Sequence, residues 1–187
     1  MKKIAVTGGI ASGKSTVLSV FGENSVPTID CDSIVDKLYS DKSVCKQISS
    51  SLGTCDRKEL ARKIFSDPIA RQNLEAILHS LVLSELKQRL SGLESSGEKA
   101  VAVDVPLLFE AGWQNLFDKV VVVLAPHEKR VSRLVARGFS EQEAEAAISS
   151  QMPQEEKLKK SDYAIDNSKS LASTEEQVLK ILRDLDD

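Results

Sequence analysis

A glycine-rich segment near the start of the chain carries the residue types that bind nucleoside phosphates. Residues 8–15 read Gly-Gly-Ile-Ala-Ser-Gly-Lys-Ser, which satisfies the pattern G-x-x-x-x-G-K-[ST]. Backbone N–H groups in such a loop point inward as an anion-binding nest, the lysine reaches the β- and γ-phosphates, and the final hydroxyl coordinates Mg²⁺. The residues predicted to bind ATP here are Gly9, Ala11, Ser12, Gly13, Lys14, Ser15 and Thr16, with Ser15 also the predicted metal ligand.

Two carboxylates follow a second, shorter apolar run. Asp30 and Asp32 come directly after Thr28-Ile29. If that run is a strand neighbouring the one that leads into the glycine-rich loop, its carboxyl end lies at the edge where open α/β sheets bind ligands. A carboxylate there could accept the proton of an acceptor hydroxyl during phosphoryl transfer. The alternative is that Asp32 only caps the helix that begins at residue 33.

The elements that must position these residues are predicted from apolar runs separated by helical patterns. Three runs are strong and two are weaker, and they lie at residues 4–6, 100–103, 120–124, 28–29 and 163–165. Continuous short apolar runs are typical of strands buried on both faces, so the alternation favours an α/β fold with about five parallel strands.

Helical patterns fill most of the chain between the predicted strands. The predicted helices cover residues 14–21, 33–39, 68–90, 128–137, 141–151 and 171–185. Asp67 and Pro68 provide the N-cap and first position of the longest helix. The polar residues 91–99, with two glycines, predict a loop into the next strand.

The composition excludes several classes of protein. A length of 187 residues favours one domain. The 25 lysines and arginines against 28 aspartates and glutamates give a net charge of −3, and aromatic residues make up 4% of the chain, so we expect no nucleic-acid partner. The sequence contains no apolar stretch of membrane-spanning length and no credible signal peptide, so we expect a cytoplasmic protein without membrane partners.

The three cysteines give a further expectation. Cys31, Cys45 and Cys55 are separated by 14 and 10 residues. This number and spacing match neither a disulfide framework nor a paired zinc site, so we expect reduced thiols.

Seven segments share their order and spacing with one family of P-loop kinases. They are residues 5–15, 30–32, 56–68, 77–79, 105–110, 151–153 and 164–167. In this pattern the chain resembles the dephospho-CoA kinases, the last enzymes of coenzyme A synthesis. The resemblance implies transfer of the ATP γ-phosphate to the ribose 3′-hydroxyl of dephospho-CoA, giving CoA and ADP, with Mg²⁺ as cofactor.

The same resemblance implies the architecture. We expect an α/β, three-layer P-loop kinase fold with a five-stranded parallel core sheet, formed as a single domain over residues 1–187. A helical substrate-binding region would cover about residues 33–95, and a small lid about residues 138–160. The oligomeric state stays open.

The resemblance also implies roles for single residues. Asp32 becomes the acid that activates the acceptor, and Lys14 and Arg137 complete the catalytic set. His79 and Glu110 join Asp32 in binding the acceptor substrate. His79 departs from the family pattern because Ser80 follows it where proline is usual, and Ala147 stands where many relatives have a lid arginine.

Other positions keep two readings. Asn167 resembles the adenine-side residue of the family, although asparagine is also common in turns. Asp104 ends a predicted strand as a Walker-B acid does, but the family does not require an acid there. Arg130 and Arg133 repeat at helical spacing with Arg137, and we expect these two to form a solvated face.

The lysines near the end of the predicted lid give a simpler expectation. Lys157, Lys159 and Lys160 are predicted to be solvated.

Two other functions remain open at this stage. One is a P-loop kinase that acts on a nucleoside or nucleoside monophosphate. The other is a regulatory or assembly module that binds ATP without transferring phosphate, although such a module has no need of Asp32, His79 and Glu110. An Asn-Lys-x-Asp motif is absent from the sequence, which counts against a GTPase switch.

Overall fold

The structure is a computed structural model, and it describes residues 1–186 apart from the side chains of Phe65, Ser66 and Asp186. The chain forms two compact units. The sheet unit consists of residues 1–29 together with the chain from Ser96 onward, and the helical unit is Asp30–Ser95.

Five strands form one sheet. In chain order they are β1 (Lys2–Thr7), β2 (Thr28–Asp30), β3 (Ala100–Asp104), β4 (Lys119–Leu124) and β5 (Tyr163–Asp166). Their spatial order is β2-β3-β1-β4-β5, with β1 parallel to β3 and β4, and β4 parallel to β5. All five predicted strands are confirmed. The expectation that the strand before Asp30 neighbours β1 is wrong, because β3 lies between them.

Nine α-helices complete the described part of the chain. They are α1 (Lys14–Glu23), α2 (Cys31–Ser40), α3 (Lys42–Leu52), α4 (Arg57–Ser66), α5 (Pro68–Ser95), α6 (His127–Val135), α7 (Glu141–Ser149), α8 (Gln154–Lys159) and α9 (Leu171–Asp186).

The core of the sheet unit lies between its strands and two helices. Ile4 and Val121 of the central strands are completely buried, as the continuous apolar runs predict. Phe21 of α1, and Val178 and Ile181 of α9, pack into the same cluster. This packing fixes the direction in which α1 leaves the sheet, and α1 carries the residues that follow the glycine-rich loop.

The start of α5 follows the prediction. Asp67 Oδ1 accepts hydrogen bonds from the N–H groups of Ile69, at 2.9 Å, and Ala70, at 3.1 Å. Asp67 is therefore the N-cap and Pro68 the first helical residue, as predicted.

The end of α5 differs from the prediction. The helix has 28 residues and continues to Ser95, where a loop from residue 91 was expected. Leu86, Leu90 and Leu93 continue the apolar spacing through Gly92, and the first two are buried. Packing of this stripe outweighs the cost of about 1 kcal/mol for a helical glycine.

The helical unit has its own apolar core. Six buried side chains from α3, α4 and α5 form it, and they are Val44, Ile48, Leu52, Leu60, Ala70 and Leu74. A disulfide joins Cys45 of α3 to Cys55, which lies just before α4. The expectation of reduced thiols is wrong for this pair, because Gly53 turns the chain back at the end of α3 and brings the two cysteines together.

Two glutamine side chains bind single residues of the backbone through both amide groups. Gln154 Oε1 accepts from Ala125 N–H at 3.2 Å, and its Nε2 donates to the Ala125 carbonyl at 3.0 Å. Gln177 of α9 binds Asp166 of β5 in the same way, at 2.8 and 3.1 Å. Each amide therefore occupies the N–H and the C=O of one residue at the end of a strand, with Ala125 directly after β4 and Asp166 the last residue of β5.

Within the described residues, none of the helices has the combination of length and apolar character that crossing a membrane would require.

Candidate active site

The phosphate-binding loop, residues 8–15, joins the end of β1 to the start of α1. Its backbone is left-handed at Ala11, with φ of 61°, and at Gly13, with φ of 96°. Gly13 is the N-cap of α1, and the Ser12 N–H donates to the Gly9 carbonyl at 3.1 Å. The segment is a tight turn that opens a helix, which is the context that the sequence pattern requires.

Three of the polar side chains singled out by the sequence lie in or next to the phosphate loop and at the end of β3. Lys14 is half-buried, and its Nζ donates to the Gly8 carbonyl at 3.4 Å, so the ammonium lies over the loop. Ser15 is exposed in the first turn of α1. Asp104 ends β3 opposite Val6 of β1 in the sheet register.

The oxygen donors fit a magnesium ion. Mg²⁺ binds hard oxygen ligands and in nucleotide sites takes one or two protein ligands together with the phosphates. Ser15 offers a hydroxyl, and Asp104 offers a carboxylate at the carboxyl edge of the sheet. Among residues 1–186, the structure forms no group of three or more His, Cys, Asp or Glu side chains that would hold a metal by itself.

Two arginines of α6 contact the outside of the loop. Arg130 Nε donates to the Ile10 carbonyl at 3.0 Å. Arg133 Nη1 donates to the carbonyls of Ala11, at 2.9 Å, and Ser12, at 3.0 Å. Three successive loop carbonyls therefore bind guanidinium groups.

The predicted solvated face for Arg130 and Arg133 is wrong. Arg130 is only 5% exposed, and its guanidinium occupies the space that a Cβ at Gly9 would need. Removal from water lowers the pKa of Arg130, and the charge of Glu155 opposes this change. Arg137, the arginine predicted to be catalytic, is exposed and lies just beyond the end of α6.

Asn167 binds the loop from the turn after β5. Its Nδ2 donates to the Ser12 carbonyl at 2.8 Å, and its Oδ1 accepts from the Thr174 hydroxyl at 3.0 Å. Arg133 Nη2 donates to the Asn167 carbonyl at 3.1 Å. The amide also fills the position that a Cβ at Gly13 would take. Asn167 thus binds the phosphate loop through Nδ2, while the Thr174 hydroxyl of α9 holds the other end of the amide. The predicted adenine contact stays a prediction.

Glu110 lies in the loop after β3, and other parts of the sheet unit bind its carboxylate. Lys157 Nζ approaches Glu110 Oε1 at 2.9 Å and also donates to the Pro106 carbonyl at 2.8 Å. The Met152 N–H donates to Glu110 Oε1 at 3.2 Å. Glu110 therefore joins the loop after β3 to the segment that enters α8, and its predicted contact with the acceptor stays a prediction.

The lysines of this region are not alike. Lys157 is completely buried, so its predicted solvation is wrong, whereas Lys159 and Lys160 are exposed as predicted.

Gln151, just before α8, binds the phosphate loop directly, because its Oε1 accepts from the Ile10 N–H at 2.7 Å. The second half of the predicted lid, from residue 151 onward, is thus fastened beside the phosphate loop.

The remaining predicted residues belong to the helical unit. Asp32 is exposed in the first turn of α2. The alternative in which Asp32 caps this helix is wrong, because Asp30 is the N-cap and its Oδ1 accepts from the Asp32 N–H at 2.8 Å. His79 is half-buried on α5.

Sequence reasoning misses four residues that hold the phosphate loop and its neighbours. They are Arg130, Arg133, Gln151 and Lys157. The spacing of the two arginines indicates one shared face of α6. That spacing could not indicate which part of the chain the face contacts, because the contacts join residues 120 to 122 positions apart.

Comparisons with known proteins cover nearly the whole chain. A family model for dephospho-CoA kinase matches residues 2–173. The dephospho-CoA kinase of Carboxydothermus hydrogenoformans is 41% identical over 190 residues, which cover 96% of this chain and 92% of that protein.

Two solved structures are also similar over nearly their full length. TT1252 from Thermus thermophilus is 37% identical with a TM-score of 0.86, covering 98% of this chain and 96% of that one. The dephospho-CoA kinase from Campylobacter jejuni is 31% identical with a TM-score of 0.72, covering 99% and 98%. These structures confirm the predicted three-layer P-loop kinase fold. Together with the family model and the curated relative, they show that the chain belongs to the dephospho-CoA kinase family.

Proposed function

We propose that the protein transfers the γ-phosphate of ATP to the ribose 3′-hydroxyl of dephospho-CoA, releasing CoA and ADP in the last step of coenzyme A synthesis. The observation that carries this proposal is a formed phosphate loop at residues 8–15, within a chain that the family model matches over residues 2–173. The mechanism requires little covalent chemistry from the protein, because phosphoryl transfer depends mainly on positioning and charge stabilisation.

The nucleotide is bound by the loop and the start of α1. Lys14 contacts the β- and γ-phosphates, and the helix N-terminus that begins there favours the same negative charge. The Ser12 hydroxyl is buried without a hydrogen-bond partner among the described residues, so it is a donor that a phosphate oxygen could satisfy. Ser15 and Asp104 are the residues that would hold Mg²⁺, and the ion would neutralise charge on the phosphates.

The acceptor is activated by the helical unit. Asp32 accepts the proton of the ribose hydroxyl and orients its oxygen toward the γ-phosphate. Because Asp30 already caps α2, the Asp32 carboxylate is not needed to hold the helix end. His79 positions the acceptor, and Glu110 contributes by fixing the loop after β3.

Arg137 is the remaining member of the catalytic set. Its exposure beyond α6 leaves the guanidinium able to reach a bound nucleotide, where it would stabilise charge on the transferred group.

We also assign the protein to the cytoplasm and expect no nucleic-acid partner. A net charge of −3 and the biosynthetic role of its family support this assignment. Disulfides are rare in reducing compartments, so we expect the Cys45–Cys55 bond to be open in part of the cellular protein.

The test is ADP release by the purified full chain with ATP and Mg²⁺. Dephospho-CoA, adenosine, AMP, CMP and no acceptor are compared, and the product mass is checked for one added phosphate. The Lys14→Met variant, purified in the same way, measures any contaminating activity.

Turnover with dephospho-CoA alone, giving a product heavier by one phosphate, would establish the proposal. Activity on a nucleotide instead would keep the kinase and overturn its substrate. Binding of ATP with no turnover on any acceptor would favour a module that binds the nucleotide without transferring phosphate.

A further inference from the structure

The phosphate loop is held on its carbonyl side by side chains that lie outside it. The carbonyls of Ile10, Ala11 and Ser12 are successive, and each accepts a hydrogen bond from a guanidinium of α6. The Arg130 guanidinium is also packed against Gly9, so closely that any side chain at that position would collide with it.

The geometry of the peptide group gives these contacts a consequence for the other side of the loop. A carbonyl and the N–H of the next residue belong to one rigid planar unit and point in opposite directions. In a phosphate-binding nest the N–H groups face the anion, so the carbonyls face away from it. At the Ile10 and Ser12 carbonyls, a bound cation therefore fixes the plane of the peptide group and adds positive potential behind its N–H. The N–H that shares a peptide group with the Ala11 carbonyl is that of Ser12, which donates to the Gly9 carbonyl, so there the arginine holds the turn of the loop itself.

The backbone of the loop needs such support. Ala11 has a positive φ of 61°, and the left-handed region is unfavourable for a residue with a Cβ. Conformations of this kind persist where surrounding contacts hold them. Both peptide groups of Ala11 are held, because Arg130 binds the carbonyl of Ile10 before it and Arg133 binds its own carbonyl.

The burial of Arg130 points the same way. Removing a guanidinium from water is unfavourable unless its donors find acceptors, and the loop carbonyl supplies one. An arginine used only for solubility would not be placed there.

We propose that Arg130 and Arg133 are positioning residues for the nucleotide phosphates, which preset the loop from its carbonyl side. This inference deepens the proposed function and rests on it for the identity of the nucleotide. The two arginines therefore support binding of the β- and γ-phosphates, because these are the phosphates that the loop holds.

The test measures nucleotide affinity without any acceptor. The dissociation constants of ADP and AMP are measured by titration calorimetry on the full chain for Arg133→Met, Arg130→Gln and Arg133→Lys. Arg183→Met is the matched control, because Arg183 is exposed on α9. Thermal unfolding and the binding stoichiometry report how much of each variant is folded.

We expect Arg133→Met to weaken ADP by about 10- to 100-fold, which corresponds to the loss of charge-assisted hydrogen bonds. AMP binding should change by less than about 3-fold, because AMP lacks the phosphate that the loop holds. In turnover, the KM for ATP should rise by a similar factor while kcat and the KM for dephospho-CoA change little. Arg133→Lys, which keeps the charge and one donor, should recover part of the affinity.

A purely structural role predicts a different result. It would lower the stoichiometry or the unfolding temperature and weaken ADP and AMP equally, and that outcome would overturn the proposal. Should Arg133→Met fail to fold, unchanged ADP affinity in both Arg133→Lys and Arg130→Gln would also overturn it. Because ADP binding requires no acceptor, a wild-type protein that binds ADP and ignores dephospho-CoA would refute the proposed function and leave this inference standing.

Discussion

Different kinds of interaction stabilise the interior of the sheet unit and the interior of the helical unit. Around the phosphate loop, charged side chains are buried and hydrogen-bonded to backbone carbonyls, with Arg130 5% exposed and Lys157 completely buried. In the helical unit the ion pairs are on the surface, as in Arg57–Asp36, where the side chains are 52% and 67% exposed.

The stability of the helical unit comes from apolar packing and one disulfide. Hydrogen bonds are directional, whereas apolar packing is not. The difference therefore teaches that this protein uses directional contacts around the phosphate loop, and apolar packing in the helical unit that we propose binds the acceptor.

The largest expected effect is on kcat, at a residue of the helical unit, with no change in nucleotide binding by the sheet unit. We expect Asp32→Asn to lower kcat by about 10²- to 10⁴-fold, the usual contribution of a general base, while ADP affinity stays unchanged. Steady-state kinetics and ADP titration measure the two effects. The control is Asp36→Asn, an exposed acid on the same helix. A near-normal kcat for Asp32→Asn would remove the proton-accepting role.

The apolar core of the helical unit is tested next. Leu60 is 2% exposed, so we expect Leu60→Ala to lower the free energy of unfolding by about 2–5 kcal/mol. Ile69→Ala, at a side chain that is 69% exposed, should change it by less than about 0.5 kcal/mol. Urea denaturation followed by circular dichroism measures both. Equal effects would contradict a core built on this cluster.

The disulfide should make a comparable contribution. It closes a loop of 10 residues, so reduction should lower the free energy of unfolding by about 3 kcal/mol through the entropy of the unfolded chain. Cys45→Ser should lose the same amount and then become insensitive to reductant. Mass spectrometry of unreduced peptides checks the bond itself. If reductant leaves wild-type stability unchanged, the disulfide does not support this unit.

A smaller effect is expected from the buried ion pair of the sheet unit. Lys157→Met removes the ammonium that binds Glu110 and the Pro106 carbonyl, so we expect a loss of about 1.5–3 kcal/mol. Among the described residues, Glu110 then keeps only the Met152 N–H, and the Pro106 carbonyl keeps only the Thr7 hydroxyl. Lys159→Met, at an exposed site on the same helix, is the control. A double-mutant cycle with Glu110→Gln separates the pair from its surroundings, and a coupling near zero would show that the two charges act independently.

The smallest effect concerns pH. Hydrogen bonds from the backbone N–H and the hydroxyl of Ser140 hold the pKa of Glu143 below its usual range. The stabilisation is therefore present above the pKa of the unfolded chain and is lost as pH falls through the lower folded value. We expect the difference in Tm between wild type and Glu143→Gln to shrink on acidification through that range. A difference that is constant with pH would argue against the hydrogen bonds from Ser140 to Glu143 as its source.

Local signals predicted the strands, the phosphate loop and six of the nine helices in the described chain, whereas α3, α4 and α8 were not predicted as separate helices. The spelling of residues 8–15 requires a strand before the loop and a helix after it, and Asp67-Pro68 marked the start of α5. These features depend on neighbours in the sequence. The continuation of α5 past Gly92 was missed because a glycine was given more weight than the leucine stripe around it.

The supports of the site could not be predicted in the same way. Arg130 and Lys157 look like ordinary surface cations, and their burial follows from pairing with segments 120 and 47 positions away. The Cys45–Cys55 bond was missed because an odd number of cysteines argues against a framework, although one turn is enough to join two of them. Such contacts depend on tertiary structure, for which the sequence carries no local pattern.

The contacts of Gln177 with the end of β5 bear on whether this edge of the sheet can pair with a strand of another chain. β5 is an edge strand, and edge strands offer unpaired backbone groups to other chains. At Asp166 the Gln177 amide already occupies the N–H and the C=O. A strand from a second molecule would meet a side chain there instead of a free peptide group, so Gln177 blocks strand pairing at Asp166.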